Sequence, residues 1–204
     1  LINQLLYYWL FGVIVMKYFL IVAIAGLATA ANANVVINGS FESNSYGGTN
    51  WKVYNAGDSG ITGWTVGGTS VDIVGTGYSP HDGAFALDLA GSPGPGSVSQ
   101  DVVTTATSYT VSFFARGAGA PNDTVLATFN GVTHSFAVTN SWAQYSFTGV
   151  GNAGLTDLKL ATTAGNNTTG NLIIDAVSVE AVPEPMTMAV LGIGAAAMLR
   201  RRRK

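Results

Sequence analysis

Between Asn34 and Glu180 apolar positions recur in short runs, with no sustained 3.6-residue period. Gly, Asn, Asp and Pro separate the runs. Alternation is clear in Tyr109-Thr110-Val111-Ser112-Phe113 and in Ile174-Asp175-Ala176-Val177-Ser178-Val179, the pattern of strands with one buried face. The same reading predicts strands at Val35–Asn38, Trp51–Tyr54, Gly63–Val66, Ser70–Val74, Phe85–Leu89 and Ser97–Val103. Further strands are predicted at Tyr109–Ala115, Thr124–Asn130, Thr133–Val138, Ala143–Thr148, Leu155–Ala161 and Leu172–Val179. Asn130-Gly131, between two of these, signals a tight hairpin. Ser92-Pro93-Gly94-Pro95-Gly96 reads as a rigid internal loop, because either half of the chain alone would have a thin core. Many short strands with frequent turns predict an all-β domain over residues 34–181, a β-sandwich of the jelly-roll type.

The two ends carry a different pattern. Met16-Lys17, an apolar run from Tyr18 to Ala31 and Ala31-Asn32-Ala33 have the layout of a secretory signal, residues 16–33, with cleavage expected before Asn34. Residues 1–15 then precede the true start at Met16. The competing reading is an uncleaved anchor from Leu5 to Ala31, interrupted only by Lys17. At the other end, residues 182–204 hold Pro183-Glu184-Pro185, an apolar run from Met186 to Leu199 expected to be helical, and Arg200-Arg201-Arg202-Arg203-Lys204. That run is shorter than the ~20 residues a permanent spanning helix needs. The trailing bases stay cytoplasmic by the positive-inside rule. A transient membrane contact is therefore expected.

Composition narrows the chemistry. The chain of 204 residues has no Cys and two His, His81 and His134, which removes thiol chemistry and makes a His-rich metal site improbable. Residues 34–180 hold ten acids against the three bases Lys52, Arg116 and Lys159, a balance of −7. A surface so poor in Lys and Arg argues against nucleic acid as a partner. Gly57-Asp58-Ser59-Gly60 has the look of a nucleophile motif, but neither His sits in a matching partner motif and these residues are turn formers. Gly192-Ile193-Gly194-Ala195-Ala196-Ala197 fits a dinucleotide fingerprint only in spelling, for the βαβ context is missing. Paired carboxylates such as Asp72 and Asp88 would suit a glycosidase only at a particular separation.

Ring faces pack on the apolar faces of pyranoses while polar groups bond the hydroxyls, so loop aromatics mark a sugar-binding surface. The candidates are Trp51, Trp64, Tyr78 and Trp142, with Asp72, His81 and Asp82 as polar neighbours. Trp51 and Trp142 border strands, where core packing competes with this role, and core packing is the competing reading for Trp64 too. Tyr78, in the loop Gly75–Gly83, is the best candidate for an exposed ring.

Pro183-Glu184-Pro185, the apolar run and the Arg-rich tip together resemble the PEP-CTERM sorting signal of exopolysaccharide-producing bacteria. The resemblance implies recognition by an exosortase-type enzyme and a place in the cell envelope, at the outer surface or in the extracellular matrix. The body carries Asn38-Gly39-Ser40-Phe41-Glu42, Ile61-Thr62-Gly63-Trp64, Ala86-Leu87-Asp88-Leu89-Ala90-Gly91 and Ser97-Val98-Ser99-Gln100 in that order. This series resembles the choice-of-anchor C and DUF642 domains, which implies a galactose-binding-like jelly roll that binds extracellular polysaccharide without catalysis. Plant members usually have two such domains and paired Cys; this chain has one domain and none. Carbohydrate-binding modules with similar opening and closing motifs often hold a structural Ca²⁺. Glu42 and Asp175 are its expected ligands, and capping of turns is the alternative for both. A structural matrix protein without a specific glycan, and a weak glycoside hydrolase or lyase, are the other functions compatible with these residues.

Overall fold

The computed structural model describes residues 33–117, 124–163 and 170–183. The apolar stretches at both ends, with Glu184 and Pro185 of the sorting motif, lie outside these residues. Among the described residues the chain forms eleven strands: β1 Trp51–Asn55, β2 Thr65–Gly68, β3 Ser70–Val74, β4 Ala86–Asp88, β5 Gly96–Thr104 and β6 Ser108–Gly117, followed by β7 Thr124–Phe129, β8 Val132–Ala137, β9 Ala143–Val150, β10 Gly154–Ala161 and β11 Leu172–Ala181. They make a six-stranded sheet of order β1-β3-β4-β11-β6-β9 and a five-stranded sheet of order β2-β5-β10-β7-β8. Every strand pairing is antiparallel, and one core fills the space between the sheets, so the architecture is an all-β sandwich.

Alternation decides which side chains enter that core. In β6 Tyr109, Val111, Phe113 and Ala115 are buried, while Thr110, Ser112, Phe114 and Arg116 take the opposite face. Val125, Ala127 and Phe129 of β7 meet Leu158 and Leu160 of β10 on the inner side of the other sheet. At the β8–β9 edge the sandwich is closed by aromatic contacts, His134 with Phe147 at 4.3 Å and Phe136 with Tyr145 at 5.8 Å between ring centroids. Asn130 and Gly131 take φ of 50° and 72°, the left-handed pair that a two-residue turn between β7 and β8 requires.

The predicted first strand, Val35–Asn38, is not one. The segment does run beside β11, with Val35 N donating to Val179 O at 3.0 Å and Val177 N to Gly39 O at 2.9 Å. Between them the Asn34 side chain stands in for backbone, its Oδ1 accepting from Val179 N at 2.9 Å. Asn38 and Phe41, at φ of 56° and 57°, then turn the chain out of the ladder. Gly39 is required by contact, because a Cβ there would lie 2.1 Å from Val177 O. The turn delivers Phe41 into the core, fully buried with its ring 5.4 Å from that of Trp64. Trp64 is itself buried, and its Nε1 donates to Asn38 O at 3.0 Å. Replacing Phe41 with Ala is expected to cost about 3–5 kcal/mol of stability, read as a shift in denaturant midpoint, because it empties this junction.

Candidate functional site

Strand register assembles the outer face of the six-stranded sheet. One row of paired residues runs Val53, Asp72, Asp88, Ile173, Arg116 across β1, β3, β4, β11 and β6. Trp51 pairs with Val74, and Val74 with Ala86, in the next row. On β6, Phe114 lies between Asp175 of β11 and Gln144 of β9. The register of β11 slips between Asp175 and Ser178, where Ala176 takes φ of 48°. Such a bulge re-aims the side chains around it.

Beside the bulge is a groove of about 350 Å³ lined by Thr110, Ser112, Gln144, Ser146, Ala176, Ser178 and Glu180. All but Ala176 present a hydroxyl, amide or carboxylate. Ser112 and Ser178 face each other across the strands with their Oγ atoms 2.8 Å apart. Hydroxyls and amides both donate and accept, which suits a ligand rich in hydroxyls.

Along β6 the groove leads to a cluster of rings and one cation. The His81 ring stacks on Phe114 with centroids 3.6 Å apart, and the edge of Trp142 meets His81 at 5.6 Å. The Arg116 guanidinium lies 5.4 Å from the Trp142 ring centre, a cation–π contact. Trp142 Nε1 donates to Ser79 O at 3.0 Å, and Arg116 donates to Tyr78 O. Arg116 Nε is buried and has no hydrogen-bond partner among the described residues. Tyr78 and Trp142 also pack on Val74, Ala86 and Ile173, a small apolar cluster on the outside of the sheet.

The loop that carries Tyr78 and His81 is tied down by two carboxylates. Asp175 Oδ2 accepts from His81 N and Asp82 N, both at 2.9 Å, while Oδ1 accepts from Ala176 N at 2.7 Å. Glu42 Oε1 accepts from Ala84 N at 2.9 Å and Phe85 N at 2.8 Å. Ser40 Oγ adds a bond to Asp82 Oδ2 at 2.9 Å. Gly83, at φ of 64°, leaves room for Glu42, whose Oε1 would be 2.4 Å from a Cβ there. Burial nevertheless pushes the Asp175 carboxyl up to about 6, with backbone donors opposing the shift.

Asp72 and Asp88 pair in register on β3 and β4 and are buried. Asp72 accepts from Ser92 N at 3.2 Å and Ser92 Oγ at 2.7 Å, holding the loop before β5. Asp88 accepts from Ala90 N, Leu172 N and the Asn171 amide, at 2.9, 2.8 and 2.6 Å. Burial raises Asp88 to about 6 as well.

The residues expected from sequence thus divide. His81, Asp82, Glu42 and Asp175 converge on one loop. Tyr78 joins them but is half-buried against the sheet instead of standing free in its loop. Trp51 stands on the edge strand with 47% exposure, in place of the core packing that competed for it. Trp142 is half-buried on the outer face, and Asp72 at 2% exposure is a structural acceptor for Ser92. Pro183 is exposed just after β11. Phe114, Arg116 and the groove residues were not anticipated. Their one signal is that Phe114 occupies a polar phase of the β6 alternation.

Four of the oxygens offered to Ca²⁺ were those of Glu42 and Asp175, and three of them accept N–H bonds. A donor dipole aimed at an oxygen opposes a cation on the same lone pair, so this arrangement does not fit a calcium shell of six to eight oxygens. Among the described residues no group of three or more His, Asp or Glu is placed to hold a metal ion.

The family model for DUF642, a protein family of unknown function, matches residues 34–180, and the PEP-CTERM protein-sorting motif matches residues 181–204. The chain belongs to the DUF642 family. Its sorting motif marks an exported protein of the cell envelope and implies processing by an exosortase-type enzyme. Among the described residues no helix is long and apolar enough to cross a membrane. Halomucin of Haloquadratum walsbyi is 42% identical over 98 residues, 46% of this chain, and the chain spans about 1% of that protein's length. Among solved structures, the carbohydrate-binding module CBM36 in complex with calcium and xylotriose aligns with a TM-score of 0.45 at 20% identity, over 63% of this chain and 99% of that one. TmCBM61 in complex with β-1,4-galactotriose aligns at 0.44 and 17% identity, over 74% and 99% of the two chains. The CBM22-1 xylan-binding domain of Paenibacillus barcinonensis Xyn10C aligns at 0.44 and 18% identity, over 65% and 94%.

Asp88 and Asp175 bind a proton more tightly in the folded state, at about 6, than the ordinary value near 3.9 in the unfolded chain. Their contribution to stability is complete below about pH 4 and is lost as pH rises through about 6. The urea midpoint is therefore expected to fall from pH 4.5 to 7.5, and Asp88→Asn is expected to flatten that slope. Calcium is expected to leave the melting temperature unchanged; a rise with calcium that Glu42→Gln abolishes would contradict the reading of Glu42 as a loop acceptor.

Proposed function

We propose that this protein is an exported, non-catalytic envelope protein that holds an extracellular polysaccharide along the outer face of its six-stranded sheet. The observation that carries the reading is the continuity of the hydroxyl- and amide-lined groove with the Phe114–His81–Trp142 ring cluster on one strand. Ser112, Ser146, Ser178 and Gln144 supply paired donors and acceptors for sugar hydroxyls. Trp142 and His81 supply ring surface for the apolar face of a pyranose. The groove's volume lies at the low end of the range for ligand sites, and its position along a strand suits a chain better than a compact molecule. Sorting at Pro183-Glu184-Pro185 would place this face outside the cell, where such chains are found. The buried carboxylates Asp72 and Asp88 act in this reading as structural acceptors and not as an acid–base pair.

Polysaccharide titration of the purified protein tests the proposal. Saturable binding is expected, weakened about tenfold or more by Trp142→Ala, which corresponds to about 1.4 kcal/mol. Gln144→Ala is expected to weaken it less. Absence of saturable binding to any polysaccharide would favour a matrix protein without a specific glycan. Release of shortened chains, lost in Asp88→Asn, would favour a hydrolase or lyase.

A further inference from the structure

The end of the sandwich from which the sorting tail departs has its own chemistry. Val182, the residue after β11, still donates its N–H to Ser108 O at 2.8 Å. The apolar run of the tail begins at Met186, so three residues separate it from a hydrogen-bonded position of the folded unit. Even fully extended, the path from Val182 to Met186 spans at most about 14 Å. Whenever the tail is seated in a bilayer, this end of the sandwich is held within about 14 Å of it.

Exposed apolar side chains collect here. Val103 and Leu155 are directly paired on β5 and β10, with exposures of 69% and 64%. Val150 pairs with Ser108, the residue that anchors Val182, and is 57% exposed. Asn130 Nδ2 donates to Val150 O at 3.0 Å, which brings the β7–β8 turn and the exposed Val132 to the same end. Five of the seven large apolar residues exposed among the described residues, Val182 included, therefore lie at the end of the sandwich from which the tail departs, Val103 and Leu155 on the outer face of one sheet and Val150 on that of the other. Two residues along the strands from Val103 and Leu155, Asp101 and Asp157 are paired and exposed. Apolar side chains give way to carboxylates within about 7 Å, the spacing of same-face neighbours on a strand.

We infer that this end is a membrane-apposed surface. Val103, Val132, Val150 and Leu155 rest in the interfacial layer of the bilayer that receives the tail, and Asp101 and Asp157 stand at the water side of that contact. The contact is apolar and not electrostatic, since a carboxylate pair and no base borders Val103 and Leu155. β6 runs away from this end, and Arg116 is eight residues from Ser108, about 27 Å along the strand. The ring cluster of the proposed glycan face is thereby held clear of the lipid. The inference does not depend on glycan binding; of its four residues only Val150 shares a face with the groove, on β9 with Gln144 and Ser146.

The chain has no Cys, so single cysteines can carry a fluorophore without background. The full chain, labelled at Val103→Cys, at Leu155→Cys or at Ser79→Cys beside the ring cluster, is reconstituted in vesicles of phosphatidylethanolamine and phosphatidylglycerol. Melting curves confirm that each variant folds. Labels at 103 and 155 are expected to be quenched by headgroup-level lipid quenchers and shielded from iodide at least threefold relative to the label at 79, independently of salt. Equal iodide access at all three positions would overturn the inference. So would shielding at 103 and 155 without vesicles, which would mean that the tail or a second copy covers the patch. Shielding that needs an added membrane protein would overturn it too.

Discussion

The acceptor that organises this protein is the carboxylate of Asp175. It sits on a buried strand of the six-stranded sheet and takes N–H bonds from His81 and Asp82, which start the descent of the covering loop. Without it, the backbone donors of His81 and Asp82 lose the acceptor that ties their loop to β11. With it, His81 is carried onto Phe114, Ser79 offers its carbonyl to Trp142, and Tyr78 offers its own to Arg116. The same residue opens the bulge on β11, and the groove lies just beyond. Loop, ring cluster and groove therefore share one origin. A raised carboxyl here is the consequence of placing an acceptor where water is excluded.

Glu42 repeats the device from the opposite side. It follows the turn made by Asn38, Gly39 and Phe41, and it holds Ala84 and Phe85 as Asp175 holds the residues before them. The opening motif of the domain is thus structural throughout: Asn38 ties Ser43 and Thr62, Phe41 fills the core, and Glu42 fixes the loop. A conformation defined by side-chain acceptors on backbone donors is less tolerant of substitution than a strand ladder. It also leaves the outer face open for chemistry that the core does not need.

Most of the sandwich was legible in the residues. Eleven of the twelve predicted runs are strands because alternation reports burial on one face, and a buried face is what pins a strand in register. Val35–Asn38 failed for a local reason, the two positive-φ positions that take the chain away from β11 after two hydrogen bonds. The Asn130-Gly131 turn succeeded because left-handed pairs have few sequence solutions. The site was less visible. Alternation places Asp72 and Phe114 on an outer face and stops there; it says nothing of the loops that bury the one and stack on the other. Ser112, Ser146 and Ser178 are ordinary polar phases until pairing sets them around a single groove. Phe114 and Arg116, an aromatic and a cation where β6 should show small polar residues, were the readable irregularity.

Amide hydrogen exchange on the intact protein, with Asp175→Ala beside it, tests the organising role of Asp175 most directly. His81 and Asp82 amides are predicted to be protected nearly as well as those of β3 and β11. In Asp175→Ala that protection is predicted to vanish while the strands keep theirs, with polysaccharide binding lost in parallel. Full binding by a variant whose loop amides exchange freely would contradict the account, for it would mean that the ring cluster is not what the ligand meets.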